Sequence, residues 1–355
     1  MPAPSKNKDQ PAARRITMRD IAAKLGMHHT TVSLALRNSP LLRPETKKKI
    51  IDAAMRAGYR PDPMLSALNV YRHAKHEAAF QAVIGWIDNW KGEPGKLLKV
   101  PTYRAYYEGA RARAEELGYA VEIFRMHDKG MTPERMLQIF KARNVGGVLV
   151  APQERPGNHL GLDFADTCAL AFGFSSLPWN LNLITARHEQ IIDLIVEKIH
   201  GFGYRRPGYF VLPESDAGSN FTAIARWNYL LSTRKGMAKL PRIDSLSPES
   251  VGRWITKHRP DVLVGFGDLL GKVESIGYQV PEDLGFACIA TSTGQSRVSG
   301  VDQNDFLIGR IAVDVMVGMI HRNDKGLPKV PVRTFVDCTW HEGETLRVQK
   351  TKAAT

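Results

Sequence analysis

The chain contains 355 residues with a net charge of +13, and 43% of its residues are hydrophobic while 24% are charged. This composition is typical of a globular protein with a sizeable core, and the length predicts two or three domains. No run of about 18 apolar residues is present, which excludes a membrane-spanning helix. Residues 1–15 lack the apolar stretch of a secretory signal, and the cysteines are far apart, which together predict a cytoplasmic protein.

The positive charge is concentrated near the N-terminus. Residues 1–76 contain 15 Lys and Arg against 5 Asp and Glu, whereas the remaining 279 residues contain 34 against 31. A basic N-terminal part joined to a nearly neutral body predicts a polyanionic partner such as nucleic acid. The alternative, from charge alone, is a tail that only aids solubility.

Three short helices are predicted within residues 16–61, after a polar basic arm at 1–15 that we expect to be disordered. Thr17 is a suitable N-cap for the first helix, and Gly26 allows the left-handed turn that ends it. The third helix begins at Pro44, where a proline is tolerated because no amide partner is needed.

The first two helices form a helix-turn-helix pattern. The second helix has Val32, Ala35 and Leu36 on one face and polar side chains on the opposite face. Such a helix packs its apolar back on its partner while its polar front enters the major groove of DNA. The alternative is a helical hairpin without a DNA-binding role.

The remainder of the chain has a different pattern. Residues 62–71 predict a fourth short helix that begins at Asp62 and Pro63, and a linker follows it. From Ala82 onward, short β-rich runs alternate with longer helical ones, which predicts βαβ units and parallel sheets. About 270 residues of this pattern favour two doubly wound lobes, with ligands at the carboxyl ends of the strands.

The stretch TMRDIAAKLGMHHTTVSLALRNSPLLRPETKKKIIDAAMRAGYRP (17–61) resembles the headpiece of the LacI/GalR (lactose/galactose repressor) family of transcriptional regulators. Later stretches are also similar, among them GVDQNDFLIGRIAVDVM (300–316) and TWHEGETLR (339–347). The resemblance covers about residues 16–347. It implies an all-α three-helix helix-turn-helix headpiece plus an α/β sensor domain of two doubly wound lobes, similar to a periplasmic binding protein.

The domain organisation follows from the pattern and the resemblance together. We expect a hinge helix and linker at 62–79, an effector-binding and dimerisation domain at 80–347, and a tail at 348–355. The N-terminal lobe is predicted to comprise about 80–181 plus 302–326. The C-terminal lobe is predicted to comprise about 182–301 plus 327–347.

The resemblance also implies which headpiece side chains contact DNA. His29, Thr30 and Leu34 occupy the positions that touch base edges. Many members have Arg at the position of Leu34, and a leucine cannot make the bidentate hydrogen bond to guanine that Arg makes. Arg37 replaces a usual Asn and is better suited to a phosphate. Phosphate-positioning roles are expected for Thr17, Ser33 and Thr46.

Residues 62–71 match the hinge helix of the family. The resemblance implies that Met64 packs against the partner subunit's hinge and that Leu68 inserts into the minor groove, where such wedges bend DNA. The alternative for Leu68 is burial in the sensor domain. A run of about ten residues is too short to be a stable isolated helix, so the hinge is expected to fold only on DNA.

A small-molecule effector, commonly a sugar or nucleobase in this family, is expected between the two lobes. By position, the candidate contacts are Asp88, Arg226, Asp268 and Gln303. The sequence departs from the usual family residues at Arg187, Tyr229, Gly267, Ala290 and Thr291, so the family's particular ligands do not transfer. Trp86, Trp179 and Trp227 are candidates either for stacking on a sugar face or for the core.

The partners predicted are double-stranded operator DNA, a carbohydrate-like effector and a second copy of the chain, with no cofactor or metal. An enzyme is one alternative, because GFGDLLG (265–271) resembles a dinucleotide-binding loop. Lone Gly-rich loops are weak signals, however, and no nucleophile–base set is evident. The lack of a secretory signal argues against a sugar-transport protein. The effector, the operator and the direction of regulation stay open at this point.

Overall fold

A computed structural model describes residues 16–36, 42–57, 59, 82–155, 157, 160–176, 180–243, 245–291 and 297–349. The chain divides into two compact units, Met1–His76 and Glu77–Thr355. Within the described ranges, no helix is both long and apolar enough to cross a membrane.

The N-terminal unit contains the three predicted helices. They are α1 (Met18–Leu25), α2 (His29–Leu36) and α3 (Pro44–Arg56). Ile21, Val32 and Ile50, one from each helix, are at most 2% exposed and form the centre of a small apolar core. The helix-turn-helix arrangement predicted from the sequence is therefore confirmed.

Local hydrogen bonds explain where α1 begins and ends. The Thr17 hydroxyl accepts from the Asp20 amide (3.3 Å), and Asp20 Oδ2 accepts from the Thr17 amide (2.8 Å), which is a reciprocal capping box. Gly26 adopts a left-handed conformation with φ of 64°, which a residue with a Cβ would adopt only at a cost.

We expect Thr17→Ala to destabilise the N-terminal unit by about 0.5–2 kcal/mol, because the first-turn amides of α1 lose their acceptor. Amide exchange in α1 should accelerate roughly 2- to 30-fold. Lys48→Ala, at an exposed position on α3, is the matched control and should leave exchange in α1 unchanged. Equal exchange rates in the Thr17 variant and the wild type would show that the capping box does not stabilise the unit.

The second unit contains two sheets. The first has strands β1 (Ala82–Asp88), β2 (Tyr119–Arg125), β3 (Val145–Val150), β4 (Cys168–Phe172), β5 (Asn182–Ala186) and β10 (Arg333–Val336). The second has β6 (Pro207–Phe210), β7 (Val262–Gly265), β8 (Gly285–Cys288), β9 (Gly300–Asp302) and β11 (Thr339–His341). The strand orders are β10-β5-β4-β3-β1-β2 and β11-β9-β8-β7-β6, and all pairs are parallel except β11 with β9.

Helices connect these strands, as the alternating pattern predicted. They are α4 (Pro101–Glu116), α5 (Pro133–Ala142), α6 (His188–Gly201), α7 (Pro213–Ala217), α8 (Thr222–Thr233), α9 (Pro248–His258), α10 (Asp268–Ser275) and α11 (Asp305–Arg322). The two doubly wound lobes of the predicted fold class are confirmed.

The predicted lobe boundaries need correction at two strands. The ranges 182–301 and 327–347 were assigned to the C-terminal lobe, but β5 and β10 belong to the sheet of the N-terminal lobe. The two strands pair in parallel, from Arg333 with Leu183 to Val336 with Ala186. This pairing joins segments about 150 residues apart, and no pattern of neighbouring residues predicts it.

Candidate functional sites

The predicted recognition helix, α2, has two distinct faces. Val32 and Ala35 are fully buried against α1 and α3, whereas His29 and Thr30 are exposed. Ser33 and Leu34, also predicted to face DNA, are half-buried. The helix therefore presents a polar N-terminal surface, which is the part of a recognition helix that meets base edges.

The sequence interpretation overlooked the role of His28 at the start of α2. Its Nδ1 lies 2.8 Å from the Thr30 hydroxyl and 3.4 Å from the Thr30 amide, which donates to it. The His28 ring thus serves as the side-chain cap of α2 and lies 4.4 Å from the His29 ring, centroid to centroid. The available signal was its position directly before the helix, although histidine is not among the preferred caps.

The remaining predicted DNA contacts are placed as follows. Thr17 is exposed, but its hydroxyl also donates to Asp20 Oδ2 (2.8 Å) as part of the capping box. Thr46 is half-buried in the first turn of α3. Arg37, Met64 and Leu68 lie outside the described residues.

A cavity of about 470 Å³ lies between the carboxyl ends of the two sheets. The N-terminal lobe contributes the start of α4, the segment after β4 and the end of β5, and the start of α6, which packs on α8, β9 and β11 of the C-terminal lobe, also lines the cavity. The C-terminal lobe contributes the segments after β6, β7 and β8 together with the start of α8. This is where ligands bind in doubly wound folds, and the volume falls in the range of small-molecule sites.

Of the four predicted effector contacts, the structure places Asp268 and Gln303 at this cavity and Asp88 and Arg226 elsewhere. Arg226 Nε donates to Asp193 Oδ1 (2.6 Å), and its guanidinium lies over the Tyr229 ring. On α8 the cavity is lined instead by Ala223, one helical turn earlier.

Asp88 lies beside a smaller cavity at the ends of β1 and β2. Its Oδ1 accepts from the Trp90 amide (2.9 Å), and Oδ2 lies 3.7 Å from Arg125 Nε. Burial raises the pKa of this carboxyl, whereas the Trp90 amide and Arg125 oppose the shift.

Two of the three tryptophans considered for sugar stacking belong to the core. Trp86 is fully buried and contacts Tyr107 and Phe172, while Trp227 is 3% exposed and contacts Tyr209. Trp179 lies outside the described residues.

Several polar groups of the cavity are held by hydrogen bonds. His188 Nε2 lies 3.2 Å from the Thr185 hydroxyl, and burial lowers the pKa of His188 to about 4, so the ring is neutral at pH 7. Gln303 donates from Nε2 to the Ile289 carbonyl (3.0 Å), which leaves Oε1 as its acceptor. Across the ranges described, no group of three His, Cys, Asp or Glu is arranged to hold a metal ion.

Behind the cavity, Asp305 begins α11 as a buried carboxyl, 8% exposed, whose Oδ1 lacks a hydrogen-bond partner among the described residues. Burial raises the pKa of Asp305 from 3.8 to about 7, and a hydrogen bond from Thr102 opposes the shift. The Asp305 carboxyl therefore ionises at a lower pH in the unfolded chain than in the folded one. As a result, its contribution to the free energy of unfolding falls as the pH rises from about 4 to 7.

Asp305→Asn removes this ionisation while keeping the shape of the side chain. We expect the variant to be about 2–4 kcal/mol more stable than the wild type at pH 8 and nearly equal to it at pH 4. Denaturant unfolding of both proteins at the two pH values measures the difference, and contributions from other groups, such as His188, cancel in the comparison. A difference that does not change with pH would contradict the assignment.

The comparison with known proteins agrees with this architecture. Residues 17–62 match the family described as bacterial regulatory proteins, lacI family. The "Probable HTH-type transcriptional repressor ExuR" of Bacillus subtilis (strain 168) is 47% identical over 47 residues. The HTH-type transcriptional regulator GalS of Salmonella typhimurium is 28% identical over 151 residues. These matches span 13% and 38% of the chain, and 14% and 42% of the lengths of the two proteins.

Solved structures resemble the chain over nearly its whole length. The complex of the transcriptional regulator CelR with cellobiose has a TM-score of 0.57 and 17% identity, covering 93% of this chain and all of that one. The lac repressor dimer bound to operator and the anti-inducer ONPF has a TM-score of 0.55 and 16% identity, covering 94% and 99%. At these identities the likeness concerns the fold.

A helix-turn-helix unit followed in the chain by a two-lobed α/β unit is the fold shared with these solved regulator structures. The family match assigns the N-terminal unit in particular: residues 17–62 match the lacI family of bacterial regulatory proteins, and the two related regulators match the chain over part of their length.

Proposed function

We propose that the chain is a sequence-specific DNA-binding transcriptional repressor whose operator affinity is controlled by a small molecule bound between its two lobes. The observation that carries the proposal is the exposed polar surface of α2, within the segment that matches the lacI family. The charge distribution supports it, because residues 1–76 hold most of the net positive charge.

The proposed assembly is a homodimer that acts in the cytoplasm. A helix-turn-helix dimer reads two half-sites of a two-fold symmetric operator, whereas a single headpiece reads only one. The lac repressor, with a similar fold, is described as a dimer bound to operator. Phosphate contacts by Thr17, Ser33 and Thr46, and base contacts by His29, Thr30 and Leu34, are part of this proposal.

The effector part of the proposal rests on the cavity between the lobes. Asp268 and Gln303 are its polar candidates from the sequence, and the CelR complex with cellobiose shows that a similar fold holds a carbohydrate. A small molecule can change operator affinity only if it binds the DNA-competent and DNA-free arrangements of the dimer unequally.

The primary test is recovery of genomic fragments from the encoding organism by the purified protein, followed by sequencing. The expected result is enrichment of a two-fold symmetric sequence, and recovery without sequence preference would contradict the proposal. Two variants in the N-terminal unit separate base contacts from phosphate contacts. His29→Ala should relax the preference for particular bases, whereas Lys48→Ala should weaken binding to all sequences alike.

Binding should depend strongly on salt. If each dimer neutralises roughly 6–10 phosphates, the logarithm of the association constant should fall with the logarithm of salt concentration with a slope of about −5 to −9. Fluorescence anisotropy with a labelled duplex between 50 and 300 mM salt (roughly the range in which such slopes are linear) measures it. A slope near zero would show that the basic residues do not contact DNA.

A further inference from the structure

Few Asp, Glu, Lys or Arg side chains line the cavity between the two lobes. Its walls are mainly apolar and aromatic, with Tyr103, Tyr106 and Phe174 from the N-terminal lobe and Tyr209 and Phe266 from the C-terminal lobe. The polar lining consists chiefly of hydroxyl and amide groups, namely those of Thr102, Ser175, Thr185, Ser215, Ser219 and Gln303.

The two carboxylates at the cavity already have basic partners. Asp216 is 1% exposed, contacts the Arg242 guanidinium and accepts from the Tyr209 hydroxyl (3.0 Å). Asp268 pairs with Lys272 one turn along α10 (2.9 Å). Arg242 and Lys272 do not themselves line the cavity. Each of them forms an ion pair with one of these two carboxylates.

The part of the cavity wall that the structure describes offers no cation to a negatively charged ligand. Among the described residues, no Lys or Arg lines the cavity. The stretches 177–179 and 292–296, which lie outside the described residues, contain no Lys or Arg in the sequence. The histidine at the wall, His188, is neutral at pH 7 because burial lowers its pKa to about 4.

Helix N-termini can also bind anions through their free amides. Among the described helices, three begin at residues that line the cavity, namely Pro101 of α4, His188 of α6 and Asp268 of α10. Pro101 has no amide N–H to offer, and Glu189 and Asp268 place a carboxylate in the first turns of α6 and α10, which disfavours an anion there. A phosphate or carboxylate transferred into this cavity would lose its hydration without gaining a charged partner, which is strongly unfavourable.

We propose that the effector is an uncharged molecule with hydroxyl or amide groups and at least one apolar face, and that phosphorylated and carboxylated metabolites are rejected. The hydroxyl and amide groups of the lining match the first feature, and the tyrosine and phenylalanine rings match the second. This inference rests on the proposed function, because it assumes that the cavity is the effector site.

The test uses the full-length protein and ligands matched in everything but charge. Isothermal titration compares glucose, galactose, cellobiose and adenosine with their phosphates and, for the sugars, with the corresponding uronic acids and amino sugars. Equilibrium dialysis against a small-molecule extract of the encoding organism, read by mass spectrometry, extends the panel to unknown ligands. We expect the retained molecules to be neutral and each charged counterpart to bind at least about 100-fold more weakly.

Each outcome separates the two proposals. A phosphorylated, carboxylated or amino compound that binds as tightly as its neutral counterpart overturns the charge inference but leaves the effector site in place. Retention of no compound of any charge by a protein that binds its operator contradicts the effector part of the proposed function.

A pair of variants provides an independent readout. Ala223→Arg places a guanidinium on the cavity wall, whereas Ala225→Arg places the same group at an exposed position on the same helix. We expect only Ala223→Arg to weaken binding of the neutral ligand by more than about 10-fold. The same variant should reduce the ratio of the affinity for the neutral ligand to the affinity for its phosphorylated counterpart. Identical ligand affinities of the two variants would contradict the inference. If Ala223→Arg does not fold, binding of the matched neutral and charged ligands to the wild-type protein tests the inference instead.

Discussion

Removal of residues 1–76 is expected to lower affinity for the operator by about 1,000-fold or more, while the remaining 77–355 unit stays folded. The removed part holds the helix-turn-helix and a net charge of +10, since it contains 15 Lys and Arg against 5 Asp and Glu. The remainder has its own core around two sheets and a charge of only +3, from 34 basic and 31 acidic residues. Both base contacts and phosphate contacts are therefore lost together.

The measurement compares operator binding by the full chain and by 77–355 at the same salt concentration. Circular dichroism and thermal unfolding of the fragment provide the folding control, because loss of binding by an unfolded fragment would carry no information. Retention of sequence-specific binding by a folded 77–355 fragment would contradict the assignment of DNA recognition to the helix-turn-helix.

The second large effect is expected where α4 and α11 cross. Gly109 on α4 faces the Phe306 carbonyl, and Gly309 on α11 faces the Tyr106 carbonyl. A Cβ at either glycine would lie closer than 3.0 Å to backbone atoms of the opposite helix, a separation that real Cβ contacts do not show. The two helices can therefore approach this closely only because both residues lack a side chain.

We expect Gly309→Ala to destabilise the second unit by about 3 kcal/mol and to lower its Tm by roughly 5–10 °C, because backbone rather than a side chain must move. Gly271→Ala is the matched control. Gly271 lies within α10, and an added methyl group there would meet no other atom within 4 Å, so the change should raise stability by about 0.5–1 kcal/mol through helix propensity.

Thermal unfolding of the three proteins, followed by circular dichroism, distinguishes these cases. The opposite signs of the two glycine substitutions are the informative result, because helix propensity alone predicts a gain at both positions. A gain in stability for Gly309→Ala would show that the helices can separate without cost.

Sequence alone determined the features that depend on neighbouring residues. The capping pair Thr17 and Asp20, the left-handed Gly26 and the proline at the start of α3 act within one turn of the chain, so α1 to α3 could be predicted. The alternation of apolar strands with amphipathic helices likewise identified the doubly wound lobes, because it reflects burial of each element separately.

Only the tertiary structure decided which residues meet across long separations in the chain. β5 and β10 are short strands whose pairing depends on segments about 150 residues apart, and the predicted lobe boundaries were wrong there. On α8, Ala223 and Arg226 differ by one turn, and the resemblance to the family pointed by position to Arg226 although Ala223 lines the cavity. A lining that is rich in tyrosine and phenylalanine and lacks Lys and Arg among the described residues arises only when the ends of two sheets come together, because neither lobe forms it alone.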